Sequence, residues 1–142
     1  MVRGDYVRCL FPFRERAGPG PSPDIVLVTG TGRIGGTPAV IVFYTTSQVT
    51  YDGTRRPRYL IHVDEPKATA LGQAKAFDID VTRVALLPVT ASYFPDLKDG
   101  AVRTYGQDAH VAAVVERRLS ELKVSGHRID LVRAGDPLPR MR

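Results

Sequence analysis

The chain has 142 residues, 43% of them hydrophobic and 25% charged, which is the make-up of a globular protein. A single cysteine, Cys9, excludes an internal disulfide framework, and with only three histidines it excludes a cysteine-based zinc site. The formal charge of +5 and a pI near 9.7 favour an anionic partner.

Other global features set further expectations. No apolar run has the length of a membrane span, and the N-terminus lacks the apolar core of a signal peptide. A cytoplasmic protein with no membrane contact is expected. The length suits one domain over 1–142, with a core over 3–124 and a C-terminal strand and tail over 125–142. Arginines cluster at Arg14 and Arg16, at Arg55, Arg56 and Arg58, and at Arg117 and Arg118.

From Asp5 to Phe13 the chain alternates, with Val7, Cys9, Phe11 and Phe13 on one face and Tyr6 and Arg8 on the other, so a half-buried strand is expected. Cys9 then points inward as a small core residue. Residues 17–23 (AGPGPSP) form a loop, Ile25–Val28 a short apolar strand, Gly30–Gly36 a glycine-rich turn, and Ala39–Thr46 a β-branched strand. Arg58–Val63 alternates again, with Tyr59, Ile61 and Val63 together. Glu65–Leu71 reads as a helical turn, and Lys75–Asp78 and Val84–Leu87 as two separate strands. Asp108 caps a helix over Ala109–Lys123 whose apolar stripe is Val111, Val114, Val115, Leu119 and Leu122, and Gly126 stops it. His127–Val132 is expected as a last strand. Successive strands with one late helix predict a mainly β fold, a small barrel flanked by that helix.

Gly30, Gly32 and Gly35 have the spacing of a dinucleotide-binding loop after an apolar strand. The segment that follows, TPAVIVFYTT, is β-branched and carries Pro38, so it predicts a strand. Without a helix N-terminus there is nothing to hold a pyrophosphate, and a hairpin loop is the better reading.

With the strands placed, several segments resemble the MazF/PemK family of small toxins. VRGDYVRCLFPF is similar to that family's first strand, PDIVLV to its second, and VIVFYTTSQ, ending in Thr46-Ser47-Gln48, to its third. FDIDVTRVALLP, with Asp80 three residues before Arg83, resembles the later strand pair, and Ala109–Lys123 the C-terminal helix. The likeness runs from Arg3 to about Lys123, with VTASYFPD and the strand after the helix divergent. It implies an SH3-like barrel, usually a homodimer. It also implies the toxin of a type II toxin–antitoxin system, cutting single-stranded RNA without metal or cofactor and neutralised by an antitoxin over the RNA groove.

Such cleavage uses the substrate's own 2′-hydroxyl, so the site needs a proton acceptor and a cation for the phosphate. The family's arginine before the proline of strand two is replaced here by Ser22, which carries no charge. Arg14 and Arg16, in the same loop, are the candidates to take its place, and the alternative is that they are solvated charges. Thr46 matches the family's active-site threonine, and Asp80 is a candidate acceptor or the partner of Arg83 in a turn. Thr46, Arg14, Arg16 and Asp80 are thus the expected catalytic residues. Ser47, Gln48, Arg55, Arg56, Arg58, Lys75, Asp78 and Arg83 are the expected RNA contacts. Tyr51 and Tyr59 could stack bases while Tyr44 is mainly core. His62, facing away from Ile61, reads as a surface or satisfied histidine, and His110 and His127 carry no signal. Ser22 keeps a second reading open: a non-catalytic protein of the same fold that binds nucleic acid or a protein, as the CcdB gyrase poisons do.

Overall fold

The computed structural model describes residues 1–13, 18–48, 51 and 55–134. In chain order they form β1 (Asp5–Cys9), β2 (Asp24–Ile34), β3 (Thr37–Thr46), β4 (Leu60–Val63), α1 (Glu65–Ala70), β5 (Phe77–Pro88), β6 (Gly106–Gln107), α2 (Ala109–Val124) and β7 (Asp130–Arg133). The described strands make one seven-stranded sheet in the order β4-β5-β3-β2-β1-β6, with β7 alongside β5. Pairing is antiparallel except between β5 and β7. The architecture is mainly β with a helix near the C-terminus.

Alternation along the strands sends side chains into two cores, one on each face of the sheet. The first holds Tyr6, Ile25, Leu27, Phe43, Ile79 and Val81, and α2 closes it with Ala112, Val115 and Leu122. The second holds Val7, Cys9, Phe11, Val26, Val42 and Leu87, and is closed by Tyr93 and Phe94 with Leu97 and Val102 against them. Strand β1 is therefore buried on both faces rather than half-buried. Helix α2 is the reason, because it covers the Tyr6 face that was expected to meet water. Cys9 is buried in the second core, where desolvation pushes its thiol far up, out of reach of ordinary thiolate chemistry.

Several expected boundaries move: β1 ends at Cys9 rather than Phe13, and the last strand spans Asp130–Arg133 rather than His127–Val132. β2 runs on through Gly30 and Gly32 to Ile34 and pairs with β3 down to Ile34 opposite Thr37, leaving only Gly35 and Gly36 as the turn. Gly35 has φ of +58°, the positive value that the first central position of a two-residue hairpin favours. The glycine-rich stretch is thus mostly strand, and Thr37–Thr46 is a strand and not a helix. The two strands expected at Lys75–Asp78 and Val84–Leu87 are one strand, β5, with Lys75 left in the bend before it.

Helix α2 starts where Asp108 accepts the Val111 amide at 3.0 Å and ends before Gly126 at φ of +78°. Its N-terminus docks on Gly4, whose carbonyl accepts the Asp108 amide at 2.8 Å. Gly4 has φ of +97°, and a Cβ there would sit 2.9 Å from the Ala109 nitrogen. That close approach gives the Arg3-Gly4-Asp5 segment a structural reason for its glycine. The end strands β4 and β6 both line one cavity of about 230 Å³ but do not pair with each other. Among the described residues no helix is long and apolar enough to cross a membrane.

Candidate active site

The face that carries the second core turns polar at one end of the sheet. Strand register decides what gathers there. Thr46 of β3 lies opposite Asp78 of β5, and Asp78 lies opposite His62 of β4. Directly opposed residues on neighbouring strands share a face with Cβ atoms about 5 Å apart. Thr46, Asp78 and His62 therefore stand in a row across three strands.

Asp78 is the centre of this row and is 0% exposed. A carboxylate taken out of water needs partners for both oxygens. Oδ1 lies 2.9 Å from His62 Nδ1, and Oδ2 accepts the Tyr51 hydroxyl at 2.6 Å. Arg56 Nε donates to the same hydroxyl at 3.0 Å and lies 3.8 Å from Asp78 Oδ1, so a cation backs the pair. Desolvation and the hydrogen bond to Asp78 both raise the Tyr51 phenol above its ordinary value. Tyr51 is thus a neutral donor held in place, not a ready acid.

The geometry gives His62 a specific role. With Nδ1 turned to a buried carboxylate, that nitrogen carries the proton and Nε2 is left as the acceptor. Nε2 makes no hydrogen bond among the described residues, and the side chain is 31% exposed. A carboxylate that fixes the tautomer of a half-exposed imidazole is the arrangement a general base requires. The expectation of a surface or satisfied histidine holds for one nitrogen only. The residue's importance was hidden because it depends on the β4–β5 register, which no local pattern encodes.

The remaining expected site residues divide. Thr46 Oγ1 accepts the Gln48 amide at 3.1 Å, and Ser47 and Gln48 are exposed just beyond β3. Asp80 does not pair with Arg83. Its Oδ1 accepts the Thr82 amide at 2.9 Å and the Thr82 hydroxyl at 2.6 Å, a local closure typical of Asp in an irregular strand. Arg83 instead lies over Tyr44 at 4.0 Å, with Phe11 at 5.6 Å and Phe13 at 5.9 Å. Asp24, opposite Cys9 on β2, is pushed up by desolvation and pulled back partly by Arg83. Arg55 and Lys75 are exposed. Arg58 turns away toward α2, bonding Glu121 at 2.8 Å while its carbonyl accepts Arg118 at 2.5 Å. Tyr59 packs against the first core and His127, not on the polar end. Arg14 and Arg16 lie outside the described residues, and Ser22 is exposed.

Among the described residues, the cluster thus joins an acceptor, its orienting carboxylate, a phenol and a guanidinium on one open face. No protein-family model and no curated protein matches the chain.

Proposed function

We propose that this protein is the toxin of a type II toxin–antitoxin pair, an endoribonuclease that cuts single-stranded RNA by attack of the 2′-hydroxyl, built on an SH3-like barrel that works as a homodimer. The single observation that carries the reading is the buried Asp78 carboxylate bonded to both His62 and Tyr51. Its further support is the order of family-like segments along the sequence and the net charge of +5.

The step balances without a bound metal. His62 Nε2 takes the proton of the 2′-hydroxyl as that oxygen forms its bond to phosphorus. Asp78 stabilises the imidazolium that results. Arg56, at the rim of the cluster, offers the cation for charge on the phosphate oxygens, and the Thr46 hydroxyl offers a hydrogen bond. The bond from phosphorus to the 5′ oxygen breaks, and water at this open face protonates the leaving oxygen. The products are a 2′,3′-cyclic phosphate and a 5′-hydroxyl. In this scheme Arg56, rather than Ser22's position, supplies the charge that the family takes from an arginine. Arg55 and Lys75 remain available to attract the RNA backbone, and an antitoxin would neutralise the toxin by covering this face.

The test is incubation of purified protein with long single-stranded RNA in EDTA. Fragments ending in cyclic phosphate are expected, with a loss of roughly 10²–10⁴-fold in rate for His62→Ala. Intact RNA at high protein concentration would sink the proposal.

A second reading is favoured by Ser22, an exposed uncharged residue where the resembled family carries an arginine. Under it the protein binds nucleic acid or a protein without cleaving. Retained RNA binding with no cleavage in the same assay would select it.

A further inference from the structure

The cavity at the seam between β4 and β6 is walled, His62 apart, by groups that the cleavage step leaves unused. Its floor is apolar, made by Val63, Leu71, Val111 and the Tyr6 ring. Tyr6 is 2% exposed, yet among the described residues its hydroxyl has no hydrogen-bond partner. No fully enclosed side-chain oxygen there lacks a partner. The hydroxyl therefore keeps contact with open space, and the cavity that Tyr6 lines is that space. A hydroxyl placed so can bond a molecule seated in the cavity.

Three more polar groups surround it. Gln107 donates its Nε2 to Asp5 at 3.0 Å, which leaves its Oε1 as an acceptor. Asp108 uses Oδ1 to cap α2 and keeps its second oxygen. Lys67 brings an ammonium with no ion pair among the described residues. Donors and acceptors thus both line the cavity together with an apolar floor. At about 230 Å³ the space falls below the roughly 300–1,000 Å³ of drug-sized sites and suits a single ring system. A planar heterocycle with mixed donors and acceptors along its edge fits this chemistry, and unstacked RNA bases are recognised in this way. His62 links the two places, because it lines the cavity while its Nδ1 faces Asp78.

We propose that the seam cavity holds one base of the single-stranded RNA, next to the cleaved linkage, and reads its edge through Tyr6, Gln107 and Asp108. This inference rests on the endoribonuclease reading of the Asp78 cluster. A base seated here lies against the strand that carries His62, whose Nδ1 faces Asp78.

The test follows backbone amides of the full chain by NMR while each of the four nucleoside 3′-monophosphates is added separately. One or two of the four are expected to shift the amides of Ala70, Leu71, Gly106 and Val111 saturably. Tyr6→Phe, which keeps the ring and removes the hydroxyl, is expected to weaken that binding about 5- to 10-fold, the scale of one lost hydrogen bond. Ala70→Trp, at an exposed position on the cavity wall, is expected to abolish it. Absence of shifts at these amides with all four nucleotides, or binding unchanged in both variants, overturns the base site. RNA cleavage by the same wild-type sample is read separately. A protein that cleaves RNA but shows no such shifts refutes the base site alone, whereas one that binds nucleotides at these amides and leaves RNA intact refutes the cleavage reading alone.

Discussion

Replacing Asp78 by Asn tests the centre of the cluster with almost no change in shape. The carboxylate accepts at both oxygens, from His62 Nδ1 at 2.9 Å and from the Tyr51 hydroxyl at 2.6 Å. An amide accepts at only one end and donates at the other. One of the two partners must then reorganise. If His62 turns its tautomer, Nε2 carries the proton and the base is lost; if Tyr51 turns its hydroxyl, Arg56 loses its place. Each charge-assisted bond contributes about 1.5–3 kcal/mol, but the charge itself is costly to hold at 0% exposure. The net change in stability is therefore small, about 1–2 kcal/mol in either direction. Activity responds far more, because the imidazolium loses its counter-charge. A fall of roughly 10²–10⁴-fold in the cleavage rate of a fluorogenic RNA is expected, with thermal unfolding moved by only a few degrees. Nitrogen chemical shifts of His62 should show the proton on Nδ1 in the wild type. A variant cleaving within threefold of the wild-type rate, while folded, would refute the role given to Asp78.

Three other outcomes follow from the packing and charge. Gly4→Ala forces a side chain at φ of +97° and against the first turn of α2, and a loss of about 1–3 kcal/mol is expected in urea unfolding. Phe94→Ala opens the second core at a residue 0% exposed, with an expected cost of about 3–5 kcal/mol and an unchanged urea m-value. Arg8 bonds Asp96 through two nitrogens, at 3.0 and 2.8 Å, and holds its carboxyl below the ordinary value. The lowered native value means that this pair stabilises fully above the ordinary carboxylate range and is lost as pH falls through the native one. Asp96→Asn should thus lower the melting temperature at neutral pH, and the gap to wild type should close on acidification. A gap that widens in acid would contradict the assignment.

How much was legible in the sequence depended on whether a signal was local. Helix α2 was readable because Asp108, the valine and leucine stripe and Gly126 all lie within the element they define. The hairpin of β2 and β3 was readable for the same reason, since Pro38 and β-branched residues exclude the helix that a phosphate loop needs. The burial of Tyr6 was not readable, because it is decided by α2, more than 100 residues away. The pairing of His62 with Asp78 was not readable either. The two residues lie on separate strands with α1 between them, and only the register of β4 on β5 brings them face to face.

The apparent break in β5 shows how the fold and the site arise from the same irregularity. The residues Asp80 to Arg83 look like a polar gap between two apolar strands. In the sheet, β5 advances five positions from Ile79 to Val84 where β3 advances two from Thr45 to Phe43. Three extra residues change the phase of the strand. Phe77, Ile79 and Val81 face the first core, and after the irregularity Val84 faces it too, while Ala85 and Leu87 enter the second. With unbroken alternation Arg83 would share the face of Val81 and bury its guanidinium in the first core, at a cost no partner there offsets. The extra residues turn it onto Tyr44 and Phe11 instead. The bonds that the Thr82 amide and hydroxyl donate to the Asp80 carboxylate replace ladder bonds that β3 no longer offers. Meanwhile Val81 donates to the Tyr59 carbonyl and Asp80 pairs with Leu60. The irregular segment thus leaves β3 and stays with β4, which bends the sheet toward its own far edge. That bend brings β4, with His62, to the seam shared with β6. The charged interruption that hid β5 from a local reading is therefore the feature that places His62 at both the Asp78 cluster and the seam cavity.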